Sequence, residues 1–279
     1  MLIAPYPPKN RSDQATGYSC EQVNFTRNGK TLLHHINFTA PAGQITAIIG
    51  PNGAGKSTLF KILSGEHLPC SGDVTFAGCP IHTLSRADMA QQRAVVAQSS
   101  TFDLNFNVAD VVAMGRYPHR HHDTPAACQS IVQKACARMG ITHLLSHKYP
   151  TLSGGEKQRV HCARALAQIW DRHTDHNPAF ILLDEPTASL DIAYQLRVLH
   201  TLRTLAASGV GVIIILHDLS QVLNYTDQCL LLQDGKVAAF GKTQHVVTEQ
   251  TIAQVFQCNA QRSYSKTTGW NIHWHLASA

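Results

Sequence analysis

The sequence predicts an α/β fold: a mostly parallel sheet core with helices on its faces, an antiparallel β subdomain before it, and an inserted helical subdomain. Three observations carry this expectation. An apolar strand, "QITAIIG", runs directly into "PNGAGKSTLFKILSG", a glycine loop followed by a helix. Further apolar runs, "RAVVAQ", "AFILLDEP", "GVGVIIIL" and "QCLLLQDGKVAAFG", follow along the chain, as strands covered on both faces require. From about residue 99 to 165 the texture changes to apolar residues three and four apart, the pattern of packed helices.

Taken in order, residues 1–17 read as a loose leader, because prolines interrupt the apolar run and no signal-peptide core is present. The stretch "YSCEQVNFTRNGKTLLHHINFTA" predicts two strands turning at Asn28-Gly29. After the glycine loop and its helix, "SGDVTFAGCPI" predicts a strand and turn, and "RAVVAQ" at 93–98 a buried strand. The insert holds three helical segments: "NVADVVAMGR", "AACQSIVQKACARMG" and "GEKQRVHCARALAQIW". Strands then return, and "TEQTIAQVFQC" predicts a last short helix. One domain over 18–260 is expected, with residues 261–279 a polar tail of no assigned role.

The chain has 279 residues, 44% hydrophobic and 15% charged, which fits a folded protein with a large core and excludes disorder over most of its length. Lys and Arg number 23 against 18 for Asp and Glu, a net charge of +5 that favours anionic partners only weakly. The eight cysteines show no CxxC pair or regular spacing, so free buried thiols are expected rather than a zinc site or disulfide framework. No window approaches 18 apolar residues.

The chemistry begins at Gly50, Pro51, Asn52, Gly53, Ala54, Gly55, Lys56, Ser57 and Thr58, "GPNGAGKST". This matches the phosphate-binding loop pattern in its required place between a strand and a helix. Glycines let backbone N–H groups curl around phosphates, Lys56 adds a point charge, and Ser57 offers a hydroxyl to Mg²⁺. In "FILLDEP", Asp184 ends an apolar strand where it can hold Mg²⁺, and Glu185 beside it can orient and activate water. The pair and the loop together indicate a nucleoside triphosphatase. A second glycine-rich stretch, "LSGGE", precedes a helix; Ser153, Gly154, Gly155 and Glu156 would form another anion seat. It carries no lysine at the phosphate-loop position, and the chain's own phosphate loop is already committed, so the economical expectation is that it faces the γ-phosphate of ATP held by another copy.

Walker A, signature and Walker B patterns in this order, followed by His217 after "VIIIL", resemble the ATP-binding subunit of ATP-binding-cassette transporters over about residues 19–247. The resemblance implies the P-loop nucleotide-binding fold of that family, ATP and Mg²⁺ as cofactors, and head-to-tail dimers with two composite sites. It makes Gln98 the glutamine that senses Mg²⁺ and the membrane subunit, His217 the switch histidine on the γ-phosphate, and Asp191 in "SLD" part of the dimer contact. It also implies an aromatic residue stacked on adenine before the first turn; here Arg27 occupies that place, with Phe25 two residues earlier. A guanidinium can stack on a base, and Phe25 can instead face the core.

Within the family, "NVADVVAMGRYPHR" is similar to importers of haem, ferric siderophores and vitamin B12, and "ALAQIW" with "DRHTDHNP" most resembles the haem importers. That likeness implies two transmembrane permease subunits, a periplasmic haem-binding protein, a second copy of the chain, no nucleic acid, and a peripheral place on the cytoplasmic face of the bacterial inner membrane. Siderophore or cobalamin import stays open as cargo. A cassette protein of DNA maintenance or translation would need coiled-coil insertions or a duplicated cassette, neither of which the sequence has. A regulatory protein without turnover would not need Lys56, Asp184, Glu185 and His217 together. Among seventeen histidines, His119, His121, His122, His173 and His176 invite a metal or haem reading, but no cysteine or carboxylate completes a tetrahedral set, and solvated loop histidines are expected.

Overall fold

The computed structural model describes residues 17–97, 105–170 and 178–275. Most of the leader, Gln98, His173 and His176 lie outside the described residues.

The antiparallel part forms as expected. Strands β1 (Tyr18–Arg27) and β2 (Lys30–Ala40) turn through Asn28 and Gly29, both at positive φ, so Arg27 pairs with Lys30. After β3 (Ile45–Ile49) come the glycine loop and α1 (Lys56–Leu63), then β4 (Ser71–Phe76), β5 (Cys79–Pro80), α2 (Arg86–Gln92) and β6 (Arg93–Val96). The helical region contributes α3 (Val108–Ala113), α4 (Pro125–Arg138) and α5 (Gly154–Ile169). The chain then runs through β7 (Phe180–Asp184), α6 (Ile192–Ala207), β8 (Gly211–Ile215), α7 (Leu219–Tyr225), β9 (Gln228–Gln233) and β10 (Lys236–Lys242). It closes with α8 (Thr243–Val246), α9 (Glu249–Phe256), β11 (Asn259–Ser265) and β12 (Gly269–His275).

Six strands form the central sheet in the order β10-β9-β3-β8-β7-β6, all parallel except β10; β2-β1-β4-β5 form the antiparallel sheet. Alternation along the central strands explains their unbroken apolar runs. Ile181, Leu183, Val212 and Ile214 enter a core shared with the helices, whereas Phe180, Leu182, Ile213 and Ile215 face the antiparallel sheet and α1. Phe180 joins the two sheets directly, edge-on to Tyr18 at 5.2 Å and to Phe76 at 5.6 Å between ring centroids.

Two regions differ in detail from expectation. "NVADVVAMGR" is not one helix: α3 stops at Ala113 and Met114–His119 tightens into a 3₁₀ turn containing Pro118, which has no N–H and disfavours helical backbone before it. That turn lies hard against α5, where a Cβ on Gly115 would meet the Arg164 carbonyl at 2.2 Å. Buried Arg116 secures it, bonding Asp123 at 2.7 Å and the Ala167 carbonyl at the end of α5. The second difference is at the C-terminus. The boundary expected at residue 260 falls inside β11, and β11 pairs with β12 as a hairpin from Asn259 to His275. Asn224 on α7 anchors it through two 2.8 Å bonds to the Trp270 backbone, and Arg262 donates to the Val247 and Gln244 carbonyls beside α9. All eight cysteines are free; Cys20, Cys136, Cys162 and Cys229 are buried, while Cys70 and Cys79 are exposed. Among the described residues, no helix is long and apolar enough to cross a membrane.

Candidate functional site

Three adjacent parallel strands, β3, β8 and β7, deliver the reacting groups at their C-terminal ends. From β3 the chain enters the phosphate loop at Gly50, whose φ of +149° and closeness to Leu232 exclude a side chain: a Cβ would sit 2.2 Å from the Leu232 carbonyl oxygen. The loop is braced from below, as the Gly235 N–H in the β9–β10 turn donates to Ala54 O at 3.1 Å. Lys56 opens α1 and is only 7% exposed; its ammonium donates to the carbonyls of Gly50 and Pro51, both at 2.8 Å. Burial lowers the Lys56 pKa, and the carboxylates of Glu185 and Asp184 work in the opposite direction. Ser57 is exposed on the same helical turn.

From β7 come Asp184 and Glu185. Asp184 is buried, and its Oδ1 has no hydrogen-bond partner in the protein. Burial, followed by the neighbouring Glu185 charge, pushes its carboxyl up to about 6, against the pull of Lys56, His217 and Lys61. An orphaned carboxylate oxygen beside a phosphate loop and an exposed serine hydroxyl is a fitting oxygen donor set for Mg²⁺, which Asp184 and Ser57 would hold. Glu185 adopts a left-handed backbone, φ +51°, a costly conformation for a residue with a side chain. From β8, His217 reaches it: His217 Nε2 and Glu185 Oε1 are 2.5 Å apart. A cavity of 190 Å³ adjoins the pair.

The remaining predicted residues lie on other elements. Ser153 caps α5 in a reciprocal box, its N–H and hydroxyl both donating to Glu156 Oε2 at 2.8 Å; these bonds hold the Glu156 carboxyl below the usual range. Helix geometry leaves the N–H groups of Gly154 and Gly155 without intrahelical partners, and Gly155 lies against the Ser189 backbone. Asp191 caps α6, accepting from Tyr194 N at 3.0 Å. Arg27 is exposed at the end of β1, whereas Phe25 faces the core and stacks on His67 with ring centroids 5.3 Å apart. His119 corrects the expectation of a solvated loop histidine: it is buried, 2.7 Å from the Gln168 carbonyl, while His121 and His122 are exposed. No group of three or more metal-ligating side chains occurs among the described residues.

Sequence reasoning did not single out the Asp234-Gly235 turn beneath the phosphate loop, nor Gln195 and Gln221, which line the cavity beside Glu185. The first carries a readable hairpin signal, but only the fold shows what it supports. The glutamines carry no local signal.

A family model described as "ABC transporter" matches residues 33–188, more than half of the chain. The chain belongs to the ABC transporter family. It is an ATP-hydrolysing subunit of that family, with the P-loop nucleotide-binding fold. This ABC subunit is 44% identical to the hemin import ATP-binding protein HmuV of Gloeobacter violaceus over 82% of each chain. It is 41% identical to the protein of the same name from Shewanella denitrificans, over 86% of this chain and 93% of that one. Among solved structures it is similar to an inward-facing metal-chelate type ABC transporter (TM-score 0.75, 28% identity, 94% of this chain and 98% of that chain). The ABC subunit is also similar to a bacterial Atm1-family ABC exporter with ATP bound (TM-score 0.71, 28% identity, 88% of this chain and 42% of that chain). A fold shared with an exporter does not decide cargo or direction.

Proposed function

We propose that this subunit powers haem import across the bacterial inner membrane from its cytoplasmic face, acting through two membrane permease subunits supplied by a periplasmic haem-binding protein. The observation that carries the cargo is a set of relatives named for hemin import, 38 to 44% identical over 82 to 87% of this chain.

In this reading the loop from Gly50 to Thr58 wraps the β- and γ-phosphates of ATP, with Lys56 as their counter-charge. Mg²⁺, when bound by Ser57 and Asp184, neutralises charge on the phosphate oxygens. Glu185 accepts the proton of the attacking water, and His217 holds that carboxylate in place and reaches toward the γ-phosphate. Gln98, in the role the family resemblance implies, senses Mg²⁺ and the membrane subunit. Arg27 covers the adenine, since Phe25 is committed to the core. The signature residues Ser153, Gly154, Gly155 and Glu156 serve the site of a second copy, with Asp191 at the contact between copies.

The test is reconstitution of the chain with its membrane subunits and binding protein in vesicles, offering haem, a ferric siderophore or cobalamin. Haem should stimulate ATP hydrolysis and accumulate inside. Stimulation by a siderophore or cobalamin, with no response to haem, overturns the cargo assignment and leaves the ATPase mechanism standing.

A further inference from the structure

Two glutamines that take no part in phosphate binding close a ring of contacts around the reacting end of the site. Glu185 and His217 form one side through their 2.5 Å side-chain bond. His217 leads into Asp218, which caps α7 through Ser220 N at 2.8 Å and Gln221 N at 3.3 Å. Gln221 then donates from Nε2 to Gln195 Oε1 at 2.9 Å. Gln195, on α6, donates from its own Nε2 to the carbonyls of Thr187 and Leu190, both at 3.1 Å. Thr187 lies two residues beyond Glu185, so the ring is complete. The 190 Å³ cavity sits inside it, with Glu185, Thr187, Gln195, His217 and Gln221 in its walls.

The direction of each bond follows from chemistry. Backbone carbonyls only accept, so the Gln195 amide nitrogen must face Thr187 and Leu190, which leaves its oxygen for Gln221. We infer that Gln195 and Gln221 are positioning residues for ATP hydrolysis, their amides holding the segment that carries Glu185 in register with the segment that carries His217. The segment needs support from outside itself. Glu185 has a left-handed backbone, and two bonds within the turn after it are long, Ala188 N to Glu185 O at 3.3 Å and Leu190 N to Thr187 O at 3.2 Å. Gln195 ties two carbonyls of that turn to α6, and Gln221 ties α6 to the helix that begins beside His217. A carboxylate that must orient water loses rate steeply with displacement, about a hundredfold for 1 Å.

The experiment uses the full chain assembled with its membrane subunits and measures kcat and KM for ATP in Gln195→Met, Gln195→Glu, Gln221→Met and the double methionine variant. Gln221→Met, which loses one positioning hydrogen bond, should lower kcat about tenfold, and the Gln195 variants, which disturb three, at least as much, while KM stays within about twofold. Gln195→Glu keeps the side-chain shape but sets carboxylate oxygens against two carbonyls, so it should be at least as impaired as Gln195→Met. The double variant should be no slower than the worse single one, because both break the same ring. Wild-type kcat in Gln195→Glu, a loss confined to KM, or a double-variant loss equal to the product of the single losses overturns the inference. If the Gln195 variants do not fold, Gln221→Met, which removes one donor, decides it on the same kcat and KM readout.

Discussion

Replacing Asp184 with asparagine should stabilise the metal-free protein while abolishing its hydrolysis. The Asp184 carboxyl, ordinarily near 3.8, is pushed up to about 6 by burial and by the adjacent Glu185 charge. Between those values the unfolded chain has given up the proton and the folded chain still holds it. Stability therefore falls as pH rises through that window, and the full penalty is present above about pH 6. A shift of about two units corresponds to about 3 kcal/mol. Asparagine removes the charge but brings an amide that needs partners of its own, so the net gain should be about 1–2 kcal/mol near neutrality. For a chain of this size that raises the melting temperature by about 2–8 °C. Urea or thermal unfolding in EDTA without nucleotide, near pH 7.5, should show the gain, and near pH 4.5 it should be gone. With Mg²⁺ and ATP, turnover should disappear because the cation loses its buried carboxylate. A variant no more stable than the parent near pH 7.5, or a gain independent of pH, would refute the account of Asp184 as an uncompensated buried carboxylate.

Two other substitutions address the reacting pair and the loop. Glu185→Gln should keep ATP binding, lower turnover by about 10²–10⁴-fold and accumulate an ATP-bound dimer by light scattering; near-normal turnover rules out the base, and an ATP-bound monomer counts against the composite site. Gly50→Ala should destabilise by about 2 kcal/mol or more and weaken ATP binding, since its Cβ would lie 2.2 Å from the Leu232 carbonyl at a φ of +149°; unchanged urea midpoint and ATP affinity would show that the loop tolerates displacement.

Much of the site was readable because its parts are local. The loop from Gly50 to Thr58 is contiguous, Asp184 and Glu185 end an apolar strand, and His217 follows another. The C-terminal hairpin was harder to read, because the face that carries Ala260, Trp270 and Ile272 against the core is interrupted by Arg262 and only partly buried, and Asn224 and Glu249 complete the anchorage through bonds to its backbone. His119 resembled its exposed neighbours His121 and His122 until the Arg116–Asp123 pair and the end of α5 were seen to enclose it. The inward placement of Phe25 against His67 likewise depended on packing.

By itself, the sequence determined which strands are buried on both faces, through unbroken apolar runs, and where the phosphate loop lies, through a glycine pattern whose backbone demands are local. Tertiary structure alone decided the order β10-β9-β3-β8-β7-β6, which sets His217, just after β8, between the phosphate loop after β3 and the carboxylates at the end of β7. It also joined Gln195 to Gln221 across 26 residues and placed Glu185 in its left-handed conformation. Strand order and such contacts depend on which faces pack together over long separations, and no local pattern of residue types encodes that choice.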